Sequence, residues 1–378
     1  MKKTLEIVVV GGGFIGKQHI EAIRRIPNTH IVAIVEKDIE SAKNIAELYN
    51  IKNYFDNTDD LYNKLSFDVI HICTPNFLHY SMIKEAILND VNVFCEKPLC
   101  ISTFESDELV KIASTSKKIQ AVNLNYRSNL MVREMRERIR QNKIGDILFV
   151  QAKYLQDLFM FDTDYDWHFD PNKVGASRAI SDIGTHTFDL IQFVCDQKIT
   201  SVFADLSTVY PTRKKREAIG ETFSQKYLDY GEDVKVENED AAIIIAKLQN
   251  GVKVSIVISQ ITGGSKNNFE ICVSGSKSSI KWKQEYCDRL YIGRKDGPNE
   301  EIFADVSNVS KSVSRFASLP NGHAVGWADA FKNSINEFYR LINNEEANCV
   351  ELADGHYLMK IVEACIKSNK DRMWIDIE

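Results

Sequence analysis

No stretch of the chain approaches the roughly 18 consecutive apolar residues of a membrane-spanning helix. The short apolar run Ile7 to Val10 after Met1-Lys2-Lys3 has the look of a secretion signal, but Gly11-Gly12-Gly13 ends it too early and no cleavage-like site follows. The eight cysteines are scattered without a C-x-x-C pair, so no disulfide framework is expected and reduced thiols in a cytoplasmic protein are the simplest account. Basic charge is not in excess either. With 47 Lys and Arg against 53 Asp and Glu, the net charge of -6 argues against a nucleic-acid surface. The one basic run, Arg213 to Arg216, is followed by Glu217, Glu221, Glu232 and Asp233 and reads as a solvated loop. Internal repeats and low-complexity segments are missing too.

What is present is enough chain for two domains: 378 residues, at roughly 100–200 per domain. Leu5 to Val10 is continuously apolar, as a parallel strand covered on both faces must be. It runs into Gly11, Gly13 and Gly16, a G-x-G-x-x-G pattern, and a helix is expected from about Ile15 to Arg25. In that pattern the first glycine allows the tight turn, the second lets backbone approach a pyrophosphate, and the third lets helix and strand close up. A second strand, His30 to Val35, ends in Glu36, 20 residues beyond Gly16. A carboxylate there accepts from both ribose hydroxyls and repels a 2′-phosphate, which favours NAD over NADP, although Lys37 could partly tolerate the phosphate.

Strands and helices continue to alternate through Asp68 to Cys73, which ends in Thr74-Pro75-Asn76, and through Val91 to Cys95, which ends in Glu96-Lys97-Pro98. Alternation of this kind implies a doubly wound parallel sheet, with Gly11, Glu36, Asn76, Glu96 and Lys97 on one edge. Such an edge is where open α/β sheets place ligands; an ordinary surface Glu-Lys pair at a strand end is the alternative for Glu96 and Lys97.

The pattern changes after Asn125-Tyr126-Arg127. Strand-like segments at Ile147 to Gln156, Ser201 to Val209, Ala241 to Leu248, Val252 to Ile261, Phe269 to Val273 and Ser279 to Trp282 predict a large, mostly antiparallel sheet in an α+β domain. Asn250-Gly251 marks a hairpin between two of them. The expected division is a nucleotide-binding domain over residues 1–125 and an α+β domain over 126–378. A broad sheet with one open face would suit pairing with a second copy, so a homo-oligomer, dimer or tetramer, is expected.

A second chemical stretch runs from Ser181 to Asp189 and opens a helix. Asp182 and His186, four apart, share a face if both are helical. Two accounts stand side by side. Ser181 or Asp182 caps the helix, or the carboxylate orients an imidazole that moves a proton near neutral pH. No further ligand-type residue shows metal spacing with this pair, so no metal is expected.

GGGFIG, TPNFLH at 74–79, EKP at 96–98 and DIGTH at 182–186 stand in the order found in the Gfo/Idh/MocA family, and the chain resembles that family over nearly its whole length. Similarity continues through 259–276, 322–331 and 352–356. The resemblance implies an NAD(P)-dependent oxidoreductase acting on a secondary alcohol of a cyclic polyol: a sugar, glycoside, anhydrosugar or inositol. It implies Lys97, Asp182 and His186 as the catalytic set. Thr74, Asn76, His79, Glu96 and Asn125 would join Gly11, Gly13, Phe14, Ile15, Gly16, Glu36 and Lys97 around the cofactor. Arg127, Tyr154, Gln156 and Trp167 would join Lys97, Asp182 and His186 around the substrate. The chain departs from the family pattern at Gly175-Ala176-Ser177 and at His168. For Tyr165, Trp167 and Phe169, stacking on a sugar and packing in a core are equally open. Rival activities are a lyase or glycosidase that oxidises its sugar transiently, and a cofactor-binding sensor without turnover.

Overall fold

The computed structural model describes residues 3–215, 218–219, 226–227, 231–320 and 322–378, in two units treated separately below. The first unit opens with β1 (Leu5–Val10), α1 (Phe14–Arg24), β2 (Thr29–Val35), α2 (Ile39–Leu48), β3 (Asn53–Phe55) and α3 (Thr58–Lys64). It continues with β4 (Val69–Ile72), α4 (His79–Leu88), β5 (Asn92–Cys95), α5 (Thr103–Ala113) and β6 (Gln120–Val122). Strand order is β6-β5-β4-β1-β2-β3, all parallel. That is the doubly wound order whose ligand crevice lies where the winding reverses, between β1 and β4.

Local chemistry fixes the helix starts. Asp38 accepts from the Ser41 N–H, Asn57 from Asp60, and Ser102 from Glu105, whose carboxylate returns to the Ile101 N–H. α1 begins differently, at Gly13, with no side-chain cap, as does α4 at Leu78.

Residues 125–378 continue with α6 (Leu130–Arg140), β7 (Ile147–Leu155), α7 (Pro171–Val174), α8 (Thr185–Cys195), β8 (Ile199–Ser207), β9 (Thr212–Lys214), β10 (Ala218–Ile219), β11 (Lys226–Tyr227) and β12 (Asp233–Lys235). After them come β13 (Ala241–Leu248), β14 (Lys253–Ser259), β15 (Asn268–Gly275), β16 (Ser279–Lys283), β17 (Arg289–Gly293) and β18 (Glu300–Phe303). The chain closes with α9 (Trp327–Ile342), β19 (Val350–Glu351), α10 (Leu352–Asp371) and β20 (Ile375–Asp376).

The second unit is built on a nine-stranded sheet, β18-β17-β16-β15-β7-β14-β13-β8-β20. It is mostly antiparallel as expected, with β7 and β14 a parallel pair. The Asn250-Gly251 turn joins β13 to β14, with Gly251 at φ +85°, where a side chain would be strained. Period-two alternation sends Ala242, Ile244, Ala246, Val254, Ile256 and Ile258 into the core and leaves Ile243, Ile245 and Val257 exposed on the other face. Every residue of α8 is buried.

The expected single break at 125 needs correction. Residues 331–356 belong to the first unit: β19 adds an antiparallel strand beside β6, and Phe338 lies 5.0 Å from Phe94, ring to ring. Burial of Phe331, Ile335, Phe338, Tyr339, Val350 and Leu352 holds this segment there.

Candidate active site

The glycine turn shows why each glycine is needed. Gly11 has φ +90°, and a Cβ on it would sit 2.7 Å from the Cys73 carbonyl oxygen. A Cβ on Gly16 would stand 1.8 Å from the Gly11 oxygen, so helix and strand could not close. Around Gly13 no protein atom lies within 4 Å of a would-be Cβ. Backbone is thus bare where a phosphate would approach, and the first amides of α1 have no side-chain cap to satisfy them. Phe14 and Ile15 are the first residues of that helix. At the end of β2 the Glu36 carboxylate folds back on the turn, accepting from the Gly12 and Lys37 N–H groups. The residues present fit an NAD: open backbone for the pyrophosphate and a carboxylate for the ribose.

At the ends of β4 and β5 the sequence expectation is altered. Thr74 is half-buried, its hydroxyl against the Met82 sulfur, and Asn76 is buried in the turn that follows. His79 is fully buried and does not present its ring to a cofactor. Its Nδ1 lies 2.8 Å from the Pro98 carbonyl and its Nε2 2.9 Å from the Thr74 carbonyl. The ring therefore ties the two strand-end loops together, while burial pushes its pKa down. Glu96 is buried as well. Its Oε1 accepts from His19 Nε2 at 2.9 Å and from Asn123 Nδ2 at 2.7 Å. The pair Glu96-Lys97 is thus no ordinary surface pair: the carboxylate turns into the core and the half-buried Lys97 follows it.

The second unit shows what surrounds Asp182. A turn of π-helix, Ile180–Gly184, precedes α8, a wide turn often found at functional sites. Its start is satisfied by Glu239 from a distant strand end, whose Oε1 accepts from the Arg178 and Ile180 N–H groups and from the Ser177 hydroxyl. Ser181 turns away and donates to the Ser177 carbonyl. Asp182 is therefore not a cap; its Oδ2 accepts from Gln260 Nε2 at 2.8 Å. Gln260 is itself held, accepting from Arg178 Nη1 at 2.6 Å and reaching Gln156 Oε1 at 3.2 Å. Burial lowers Arg178 to about 10, which leaves it cationic at neutral pH beside Asp240 and Glu239.

His186 is buried on the first turn of α8, with the Tyr126 ring edge-on at 4.9 Å. The Tyr126 and Tyr154 hydroxyls meet at 2.9 Å, and Tyr154 donates to Asn267 Oδ1 at 2.6 Å. Tyr154 also stacks on Phe269, so it forms the wall behind His186, not a free polar contact. Arg127 closes on Asp189 through two Nε contacts of 2.8 and 2.7 Å and a further Nη2 contact. That bidentate grip braces α8. Phe169 is core, packed with Phe159 and Val236 and covered by the Arg178 and Arg213 guanidinium planes; Tyr165 stacks on it. Trp167 stacks on His168 at 3.8 Å. Asn125 is buried, and its Nδ2 finds no acceptor among the described residues.

Two family models match, one described as "Oxidoreductase family, NAD-binding Rossmann fold" over residues 5–124 and one as "GFO/IDH/MocA C-terminal domain" over 132–281. The chain belongs to the Gfo/Idh/MocA family. It is an NAD-dependent oxidoreductase. Among curated relatives, a levoglucosan dehydrogenase of Pseudarthrobacter phenanthrenivorans is 23% identical over 99% of this chain and 98% of its own. A glucose-6-phosphate 3-dehydrogenase of Bacillus subtilis is 24% identical over 96% and 95%. Among solved structures, levoglucosan dehydrogenase in complex with NADH and L-sorbose shares the fold at TM-score 0.90, with 23% identity and all of both chains covered.

Gln260, Arg178 and Glu239, which position Asp182, escaped the sequence reading, as did His19, His71 and Asn123 around Glu96. Their signal is a polar residue inside an otherwise apolar strand or helix face, which shows nothing until its partner is known. Among the described residues no cluster of three or more His, Cys, Asp or Glu could hold a metal, and no helix is long and apolar enough to cross a membrane.

Proposed function

We propose that this enzyme oxidises a secondary alcohol of a cyclic polyol (a sugar, glycoside, anhydrosugar or inositol), with Lys97, Asp182 and His186 carrying the chemistry. NAD, when bound, supplies the hydride acceptor. The chain's own residues do the rest. Backbone at Gly13 and the first turn of α1 receives the pyrophosphate, Glu36 accepts from the ribose, and buried Asn125 offers its amide N–H to the cofactor or substrate. His186 takes the hydroxyl proton, Lys97 donates to the same oxygen as negative charge develops on it, and Asp182 holds their orientation. Proton transfer of this kind is worth typically about 10²–10⁴-fold.

The observation that carries this reading is the bond from Gln260 to Asp182: a buried residue just past the end of β14 orients a carboxylate that the helix does not need as a cap. Similarity to dehydrogenases of levoglucosan and glucose 6-phosphate supports a cyclic polyol. The exposed Ile243, Ile245 and Val257 support a homo-oligomer, dimer or tetramer, paired through that sheet face, and the scattered cysteines support a cytoplasmic location.

The test follows absorbance at the NADH wavelength with NAD or NADP and a panel of inositols, hexoses, glycosides and anhydrosugars. Reduction of NAD that is lost in Lys97→Ala and His186→Ala establishes the reading. Polyol breakdown without net NADH, or tight NADH binding with no turnover on any substrate, overturns it.

A further inference from the structure

The first unit holds a buried polar chain that the proposed chemistry does not use. His19 on α1, His71 on β4 and Tyr339 on α9 are each within 2% of complete burial. Tyr339 Oη lies 2.7 Å from His71 Nε2, His71 Nδ1 lies 2.7 Å from His19 Nδ1, and His19 Nε2 lies 2.9 Å from Glu96 Oε1. Asn123 Nδ2 reaches the same carboxylate oxygen, and the Ser334 hydroxyl donates to Asn123 Oδ1. The rings around the chain are apolar: Phe94 and Phe331 flank His19 edge-on.

Donor and acceptor roles follow from the chemistry of each group. A neutral imidazole has one N–H and one bare nitrogen. An ionised Glu96 can only accept, so His19 carries its proton on Nε2 and leaves Nδ1 bare. His71 must then donate from Nδ1, which leaves its Nε2 to accept from the Tyr339 hydroxyl. With one proton on His19, every link runs one way, from Tyr339 to Glu96. Burial keeps His71 neutral, and the donors hold the Glu96 carboxyl below its ordinary range despite its burial.

A buried charge is expensive, and apolar replacement of buried ionic groups is often neutral or stabilising. The core would not need this chain for stability alone. Its last member directly precedes Lys97, whose own N–H faces Glu96 Oε2 at 3.3 Å.

We propose that Tyr339, His71 and His19 form a one-way donor chain that keeps Glu96 ionised, and that Glu96 is the positioning residue that holds Lys97 cationic. The inference rests on the reading of Lys97 as the group that donates to the substrate oxygen. Other groups within reach of the Glu96 charge are the Cys73 and Cys95 thiols, both held protonated by burial, and the His79 ring, which burial keeps towards neutral. None of these three carries a charge that competes with the carboxylate at neutral pH.

The decisive experiment titrates Lys97 directly, with no need of turnover. Trace acetic anhydride labels amines across a pH series, and mass spectrometry of the Lys97 peptide gives its titration midpoint. In Glu96→Gln the midpoint falls by about one pH unit or more, the size expected for losing a close opposite charge. His19→Leu, which removes the donor, moves it the same way. His19→Gln, which keeps an N–H for Glu96, leaves it near that of the unsubstituted protein. Thermal melting and NADH fluorescence titration establish that each variant is folded. An unchanged midpoint in folded Glu96→Gln overturns the proposal; should that variant not fold, equal midpoints in His19→Leu and His19→Gln overturn it. A shifted midpoint in protein that oxidises no polyol leaves this proposal standing and removes only the dehydrogenase reading.

Discussion

Replacing Gln260 by leucine is the sharpest test of the geometry in the second unit. The side chain is fully buried and joins three groups: it donates to Asp182 and Gln156 and accepts from Arg178. Leucine keeps the bulk and removes all three contacts. A hydrogen bond to a charged group contributes about 1.5–3 kcal/mol. If the lost bond to Asp182 is felt in the transition state, that range corresponds to roughly 10- to 100-fold in kcat/KM, at about 1.36 kcal/mol per decade. Steady-state NADH formation gives the ratio, and NADH binding measured by fluorescence should be unchanged because Gln260 lies outside the nucleotide-binding unit. Gln260→Glu is nearly isosteric but sets a second carboxylate against Asp182, so it should lose at least as much at neutral pH. Folded Gln260→Leu with kcat/KM within two-fold of the unsubstituted enzyme would refute the reasoning, since Asp182 would then need no donor.

Two glycines at the start of α1 should separate fold from binding. Gly13→Ala meets open space and is expected to fold with a normal melting temperature yet bind NADH at least ten-fold more weakly, whereas Gly16→Ala meets the Gly11 carbonyl and should not fold stably. Acid should weaken the first unit in two stages. Burial depresses the pKa of His71 and His79 below their ordinary 6.5, and donors depress Glu96 below its ordinary 4.5. For such groups the stability is present above the unfolded value and is lost as pH falls towards the folded one. Urea unfolding of the protein should therefore show a loss that begins near pH 6.5 and steepens below about pH 4.5. A flat profile between pH 7 and 5 would count against neutral buried histidines.

Much of the nucleotide-binding unit was legible because its rules are local. A continuous apolar strand, three spaced glycines and a carboxylate at the next strand end are read along a single segment. The structure adds only the clash distances that make each glycine necessary. The hairpin at Asn250-Gly251 was legible for the same reason: a turn that needs positive φ announces itself in two residues. Lys97, Asp182 and His186 stood out through motifs, but their surroundings did not. Whether Asp182 caps its own helix depended on Glu239, some 57 positions away, taking the amides first.

Sequence alone determined the doubly wound sheet, the glycine cradle with Glu36 and the large sheet with its alternating faces, because each follows from periodicity or from a short run of neighbours. Tertiary structure alone decided that Arg127 braces Asp189, that His79 and Glu96 turn inward, that Phe169 belongs to a core and that residues 331–356 return to the first sheet. Those outcomes depend on partners tens to hundreds of positions distant. A buried polar group takes whichever partner the fold brings within reach, and only the packed chain shows which one that is.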